Sequence, residues 1–156
     1  MGRWSRFWRL EAHERRLLVA ALLMLPLTRL ALRMVGFRRW QAMLTRFVPH
    51  SSQAVPANTA AARGAQTARM VRAAAREGLG SPNCLSRSLV LWWLLARQGF
   101  PAELRIGARK EDAALEAHAW VELAGRVLGE DDDPHSRYAA FHQPVAAARR
   151  SLGTRP

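Results

Sequence analysis

An α+β fold is expected from three features of the chain: a strongly apolar helix over 84–98, a switch to two-residue alternation after Gly99, and further helix-forming sequence ahead of both. The 156 residues, 49% of them hydrophobic, suffice for one compact domain and hardly for two. The expected organisation is an N-terminal helical region over 1–48, a linker over 49–66 and a second folded region over 67–156.

From Trp4 to Leu44 the chain reads as helix. The apolar run Leu17 to Leu25 meets Pro26, which should break or kink it, since proline removes a backbone donor and crowds the preceding turn. A signal peptide is not expected: the leader is long, contains Glu11 and Glu14, and no small-residue cleavage motif follows. A transmembrane span is not expected either. The uninterrupted apolar run falls short of the roughly 18 to 20 residues needed, and Arg29 and Arg33 interrupt any longer window. Docking of this arginine-flanked region onto the chain's own domain or a partner is favoured over membrane contact.

Pro49 to Gln66 mixes Pro, Ser, Asn, Gln, Gly and small residues without an apolar period and reads as a flexible connection. Thr67 to Gly78 then forms a short helix with Ala68, Val71 and Ala75 on one side. Next, Ser81 is placed as N-cap and Pro82 as first helical residue, which puts Cys84 in the first turn of the apolar helix. A thiol there faces unpaired backbone N–H groups and the positive end of the helix dipole, and both favour thiolate. The helix continues through Leu89 to Leu95 and stops at Gly99; being apolar nearly all round, it should be the central buried helix. A lone cysteine also packs well as a small core hydrophobe, so Cys84 alone decides nothing.

Beyond Gly99, Ala102, Leu104 and Ile106 alternate with Glu103, Arg105 and Gly107, and Ala117, Ala119 and Val121 alternate with His118, Trp120 and Glu122. These are antiparallel strands joined by a loop around Glu111 to Ala114, with Ala124-Gly125 turning into a third strand over Arg126 to Glu130. His118 shares a face with Trp120 and is aimed at the helix terminus bearing Cys84. Thiol acyl-transfer chemistry needs a thiolate, an imidazole within reach, and a third group to orient the imidazole. Glu130, followed by Asp131, Asp132 and Asp133, ends the strand beside that of His118 and can supply the carboxylate. The same run also reads as an acidic loop in water or a weak cation site.

Composition narrows the classes further. A single cysteine excludes an internal disulfide and a cysteine-based zinc cluster and suits a reducing cytoplasm. The formal charge of +12 comes almost wholly from arginines scattered along the chain, with Lys110 the only lysine. No recognition module or aromatic interleaving accompanies them, so a nucleic-acid partner is not expected, whereas a basic surface for an acidic peptide is compatible. His13, His50, His135 and His142 lack ligand spacing and are read as surface or packing residues. Neither a metal nor a cofactor is expected. Trp4, Trp8, Trp40, Trp92 and Trp93 are read as packing residues, and Trp120 as either shielding the site from water or lining a substrate groove.

The segments Cys84-Leu85-Ser86-Arg87-Ser88-Leu89, Arg97 to Gly107, Ala117-His118-Ala119-Trp120-Val121-Glu122 and Gly125-Arg126-Val127-Leu128 resemble the lasso peptide biosynthesis B2 proteins, which are transglutaminase-like cysteine leader peptidases. The likeness covers roughly Ala68 to Phe141, and Gly36-Phe37-Arg38-Arg39-Trp40 resembles the family's opening. It implies a transglutaminase- or papain-like core, a nucleophile helix packed on a small antiparallel sheet. It further implies Cys84 as nucleophile, His118 as base and then acid, and the position of Glu130 as orienting carboxylate. The family commonly has aspartate there, so Glu130 and Asp131 stand as alternatives; Ala124 replaces an acidic residue common before the turn glycine. The implied reaction removes the leader from a ribosomally made precursor before a partner cyclase closes the ring, with the Cys84 N–H in the oxyanion hole. Before Cys84 the chain reads as helices and linker, without the strands of a leader-recognition module, so a separate B1 protein is the implied partner. Two other classes share these residues: a transglutaminase or amidase acting on side-chain amides, and a non-catalytic scaffold with an inert Cys84.

Overall fold

The computed structural model describes residues 8–49, 56–78, 82–111, 114–141 and 144–147. Helix α1, Ala12–Met34, opens on a reciprocal cap in which the Glu11 and Glu14 side chains each accept from the other's backbone N–H. It runs through Pro26 without a break, contrary to the sequence expectation. The physical reason lies in packing: Leu17, Ala21, Leu25 and Thr28, all on one face, are buried on either side of the proline. That burial outweighs the roughly 3 kcal/mol that an interior proline costs.

Helix α2, Phe37–Arg46, is tied back to α1 by the Trp40 indole N–H, which donates to Thr28 Oγ1 at 3.2 Å in the buried interior. Helix α3 spans Ala57–Glu77, so the expected flexible connection is helical from Ala57 onward. Alanine-rich sequence there has high helix propensity, and Ala60 is buried. Gly64, which reads as a loop signal, is a packing residue: a Cβ there would lie 2.8 Å from Leu123 Cδ2 and 3.1 Å from Leu128 Cδ1. Gln66 donates to Glu14 Oε1 at 3.0 Å, a bond that holds the Glu14 carboxyl below its usual range and joins α3 to α1.

Helix α4, Cys84–Arg97, is the central element, with every residue from Ser88 to Ala96 buried. Its N-cap is Asn83, whose side chain accepts from the Ser86 N–H at 2.8 Å. Pro82 therefore precedes the cap in place of opening the helix, Ser81 lies outside the described residues, and Cys84 is the first helical residue. Gly99, at φ +82°, lets the chain leave α4 into the sheet.

The sheet is antiparallel. Strand β1, Ala102–Glu111, pairs along its length with β2, Ala114–Leu123, and β2 pairs with β3, Arg126–Leu128. On the far edge, β4, Ala139–Ala140, and β5, Ala146–Ala147, both pair with β1. The order is β3-β2-β1-β4 with β5 also on β1. Ala102 and Leu104 from β1 join Val121 and Leu123 from β2 in the core with α4, and the Ser88 hydroxyl donates to the Ala119 carbonyl at 2.8 Å. The opposite face carries His118 and Trp120 across from Gly107 and Arg105. The third strand is shorter than expected: Gly129, at φ +81°, ends it before Glu130.

Candidate active site

The early end of β3 creates the site. Register pairs β3 with β2 only at Val121, Glu122 and Leu123, so β2 has no neighbour on that edge at His118. The chain turns at Gly129 and delivers Glu130 into the gap, where His118 Nε2 donates to Glu130 Oε2 at 3.1 Å. In the neutral ring that bond leaves the lone pair on Nδ1, the arrangement a proton-accepting imidazole needs. The other carboxylate oxygen of Glu130 faces Arg87 Nη2 at 3.7 Å. Arg87 stands three residues after Cys84 on α4, and Ser88, four residues after it, bonds the backbone of β2 beside His118. Helical spacing puts Cys84, Arg87 and Ser88 on one face of the helix, the face turned to this end of the sheet.

Cys84 is half-buried, and its thiol has no hydrogen-bond partner among the described residues. The structure thus joins His118 to Glu130 directly and bonds Cys84 to neither; Cys84 is tied to the pair only through its helix, which carries Arg87. Asp131 is turned away: it pairs with Arg72 of α3 and is largely exposed. Of the two alternative carboxylates, Glu130 is the one at the imidazole.

Trp120 is 0% exposed, so it offers no surface to a substrate; its indole lies stacked against the imidazole at 6.2 Å between centroids and 17° between planes. Of its two expected roles, groove lining is excluded by this burial, whereas shielding the imidazole from water is compatible with it. Gly107, opposite His118, exists to admit that ring: a Cβ there would lie 2.8 Å from Trp120 Cη2 and 2.9 Å from the Ala139 carbonyl.

Two neighbours of His118 escaped sequence reasoning. Tyr138 stacks on its other side at 5.1 Å and 24°, and its hydroxyl donates to Glu116 Oε1 at 2.9 Å. Arg109 Nε also donates to Glu116, at 2.7 Å, and holds its carboxyl below the usual range, whereas the Glu116 bond pushes the Tyr138 phenol up. Arg87 is the second; its spacing from Cys84 was visible, but its carboxylate partner was not. A cavity of about 430 Å³ opens beside the His118–Glu130 pair, with Pro82, Arg87 and Tyr138 also on its wall; Cys84 is not among its lining residues. Of the other histidines, His13 is exposed, His135 bonds Glu122, and His50 and His142 lie outside the described residues.

A helix carrying a cysteine at its N-terminus, packed on an antiparallel sheet whose histidine bonds a carboxylate just beyond the sheet's short edge strand, matches a class of cysteine-dependent acyl-transfer folds. The family model of the transglutaminase-like superfamily matches residues 21–143, and the chain belongs to that superfamily. The superfamily usually holds cysteine-dependent enzymes, and Cys84 is this chain's one cysteine. The match begins inside α1 and runs through the sheet. Comparison with curated proteins and with solved structures finds no match.

Proposed function

We propose that this chain is a cysteine peptidase that removes the leader peptide from a ribosomally made lasso peptide precursor in the cytoplasm. The observation that carries the reading is the His118 Nε2 to Glu130 bond of 3.1 Å at the helix end that bears Cys84, in a transglutaminase-like domain. The finer identification rests on the motif resemblance around Cys84, Gly99 and His118.

In this reading Cys84 Sγ attacks the scissile carbonyl as its proton passes to His118 Nδ1. The tetrahedral intermediate collapses, the C–N bond breaks, and His118 returns the proton to the departing core amine. Water, deprotonated by His118, then hydrolyses the leader thioester. Glu130 acts throughout as a positioning residue that holds the ring and balances the imidazolium charge, itself fixed by Arg87. The Cys84 backbone N–H, unpaired at the helix start, is a natural oxyanion donor. An apo thiol not yet bonded to its imidazole fits this scheme, since such contacts commonly tighten when substrate binds. Arg76 and Arg137 also line the cavity and have no ion pair among the described residues, which suits a precursor with carboxylates near the cut. A separate B1 protein would hold the leader, and a cyclase would receive the core.

The test is mass spectrometry of the precursor after incubation with the protein and its B1 partner. Cleavage at one bond, lost in both Cys84→Ala and His118→Ala, is the expected result. No cleavage by the wild type, with Cys84 unreactive in the folded protein, would replace this reading by a scaffold role.

A further inference from the structure

Helix α1 is apolar beyond what the fold buries. An 18-residue window of it has mean hydropathy 1.8, long and apolar enough to cross a membrane, a property the run lengths in the sequence did not suggest; only 22% of that window is buried. A core helix of such hydropathy would be mostly covered. At about 100° per residue, Val19, Leu23, Leu27, Leu30 and Met34 fall within a stripe about 80° wide and about 22 Å long. This stripe is distinct from the inward face of Leu17, Ala21, Leu25 and Thr28, and it is open: Leu23 is 67% exposed, Leu30 55% and Met34 75%. Five large apolar side chains in one row are not the scattered surface residues of an ordinary monomer.

Charge says what covers them. Residues 15–48 contain seven arginines and neither aspartate nor glutamate. Arg15 and Arg33 stand on one border of the stripe, about 40° from its edge, where long side chains keep their charge in water while their stems follow apolar surface. At the N-terminal end the Arg15 guanidinium lies 5.7 Å above the Trp8 ring, and Trp8 is 67% exposed. Tryptophan and arginine together suit a headgroup boundary. A second copy of the chain would bring like charges together, which disfavours self-pairing here. We propose that α1 lays this stripe in the surface of an anionic lipid bilayer. The helix lies in the interface and does not span it, because its inward face is held by α3 and α4 of the same fold.

The experiment is flotation of the full chain with vesicles of phosphatidylglycerol and phosphatidylcholine, and with phosphatidylcholine alone. The wild type floats with the anionic vesicles, far less with the neutral ones, and added salt releases it. Leu23→Ser with Leu30→Ser lowers the partition coefficient by about tenfold or more, with thermal melting unchanged because both side chains are outside the core. Arg15→Gln with Arg33→Gln lowers it by about tenfold on anionic vesicles only. The proposal is overturned if the wild type stays with the soluble fraction, or if the leucine variant floats as well as the wild type. It is equally overturned if the wild type is a lipid-independent dimer that the leucine variant dissociates, which would place a second copy on the stripe.

Discussion

Two histidine–glutamate pairs flank Trp120, and only one of them reaches the helix that begins at Cys84. His118 bonds Glu130 at 3.1 Å and lies stacked against the indole, with both side chains 18% exposed. His135 bonds Glu122 at 2.8 Å, meets the indole edge-on at 5.3 Å, and is 46% exposed. Glu122 also accepts from the Trp120 indole N–H at 2.8 Å, so the second pair locks Trp120 in place. Glu130 instead is shared with Arg87, on the helix that begins at Cys84. The same pair of residue types is thus a brace on one side of a tryptophan and a candidate proton relay on the other. Position relative to the helix that begins at Cys84 makes the difference, and the bond itself does not.

Breaking each pair in turn exposes the difference. Glu130→Gln should lower kcat/KM for precursor cleavage by about 10² to 10⁴, since an amide neither balances an imidazolium nor reliably selects the tautomer. His135→Ala should leave kcat/KM within about threefold and lower stability by no more than about 1 kcal/mol, as a partly exposed pair does. Comparable activity losses in the two variants would abolish the distinction. Gly107→Ala tests the brace from behind: the added Cβ meets Trp120 and the Ala139 carbonyl, so unfolding measurements should show a loss of about 1–3 kcal/mol.

The smallest effect sharpens the setting of His118. Tyr138 is the only tyrosine, so phenolate absorbance reads one group. Its bond to Glu116 raises the phenol above its ordinary value of 10.0, so that contribution to stability holds below ordinary phenol ionisation and is lost as pH rises through the raised value. Glu116 has the opposite sign: its depressed carboxyl contributes above the ordinary carboxylate range, and the contribution is lost as pH falls through the lowered value. Glu116→Gln should move the Tyr138 midpoint down towards 10.0 and leave Glu130 bonded to His118.

Much of the fold was legible because its central elements are strongly patterned. The apolar run of α4 stops at Gly99, and the alternation in β1 and β2 gives their faces. What escaped was decided by tertiary contact. Residues 57–66 look like linker until Gly64 meets Leu123 and Leu128, and Pro26 looks like a stop until both halves of α1 find the same core. Strands β4 and β5 are two residues each, too short for any period, and only pairing with β1 defines them. In the site, Cys84 and His118 stood out by motif. The preference for Glu130 over Asp131 needed the Gly129 turn and the competing arginines, Arg87 and Arg72. Tyr138, twenty residues from His118, carried no local signal at all.

Covalent capture at Cys84 is the central claim, and one cysteine makes it unambiguous. Intact-protein mass spectrometry of the chain, acid-quenched during turnover of precursor with its B1 partner, should show an adduct of the leader mass on Cys84. The adduct should be absent in Cys84→Ala, and absent or strongly reduced in His118→Ala, where no imidazole takes the thiol proton. Leader removal that persists in Cys84→Ala, with no adduct on the wild type, would contradict it.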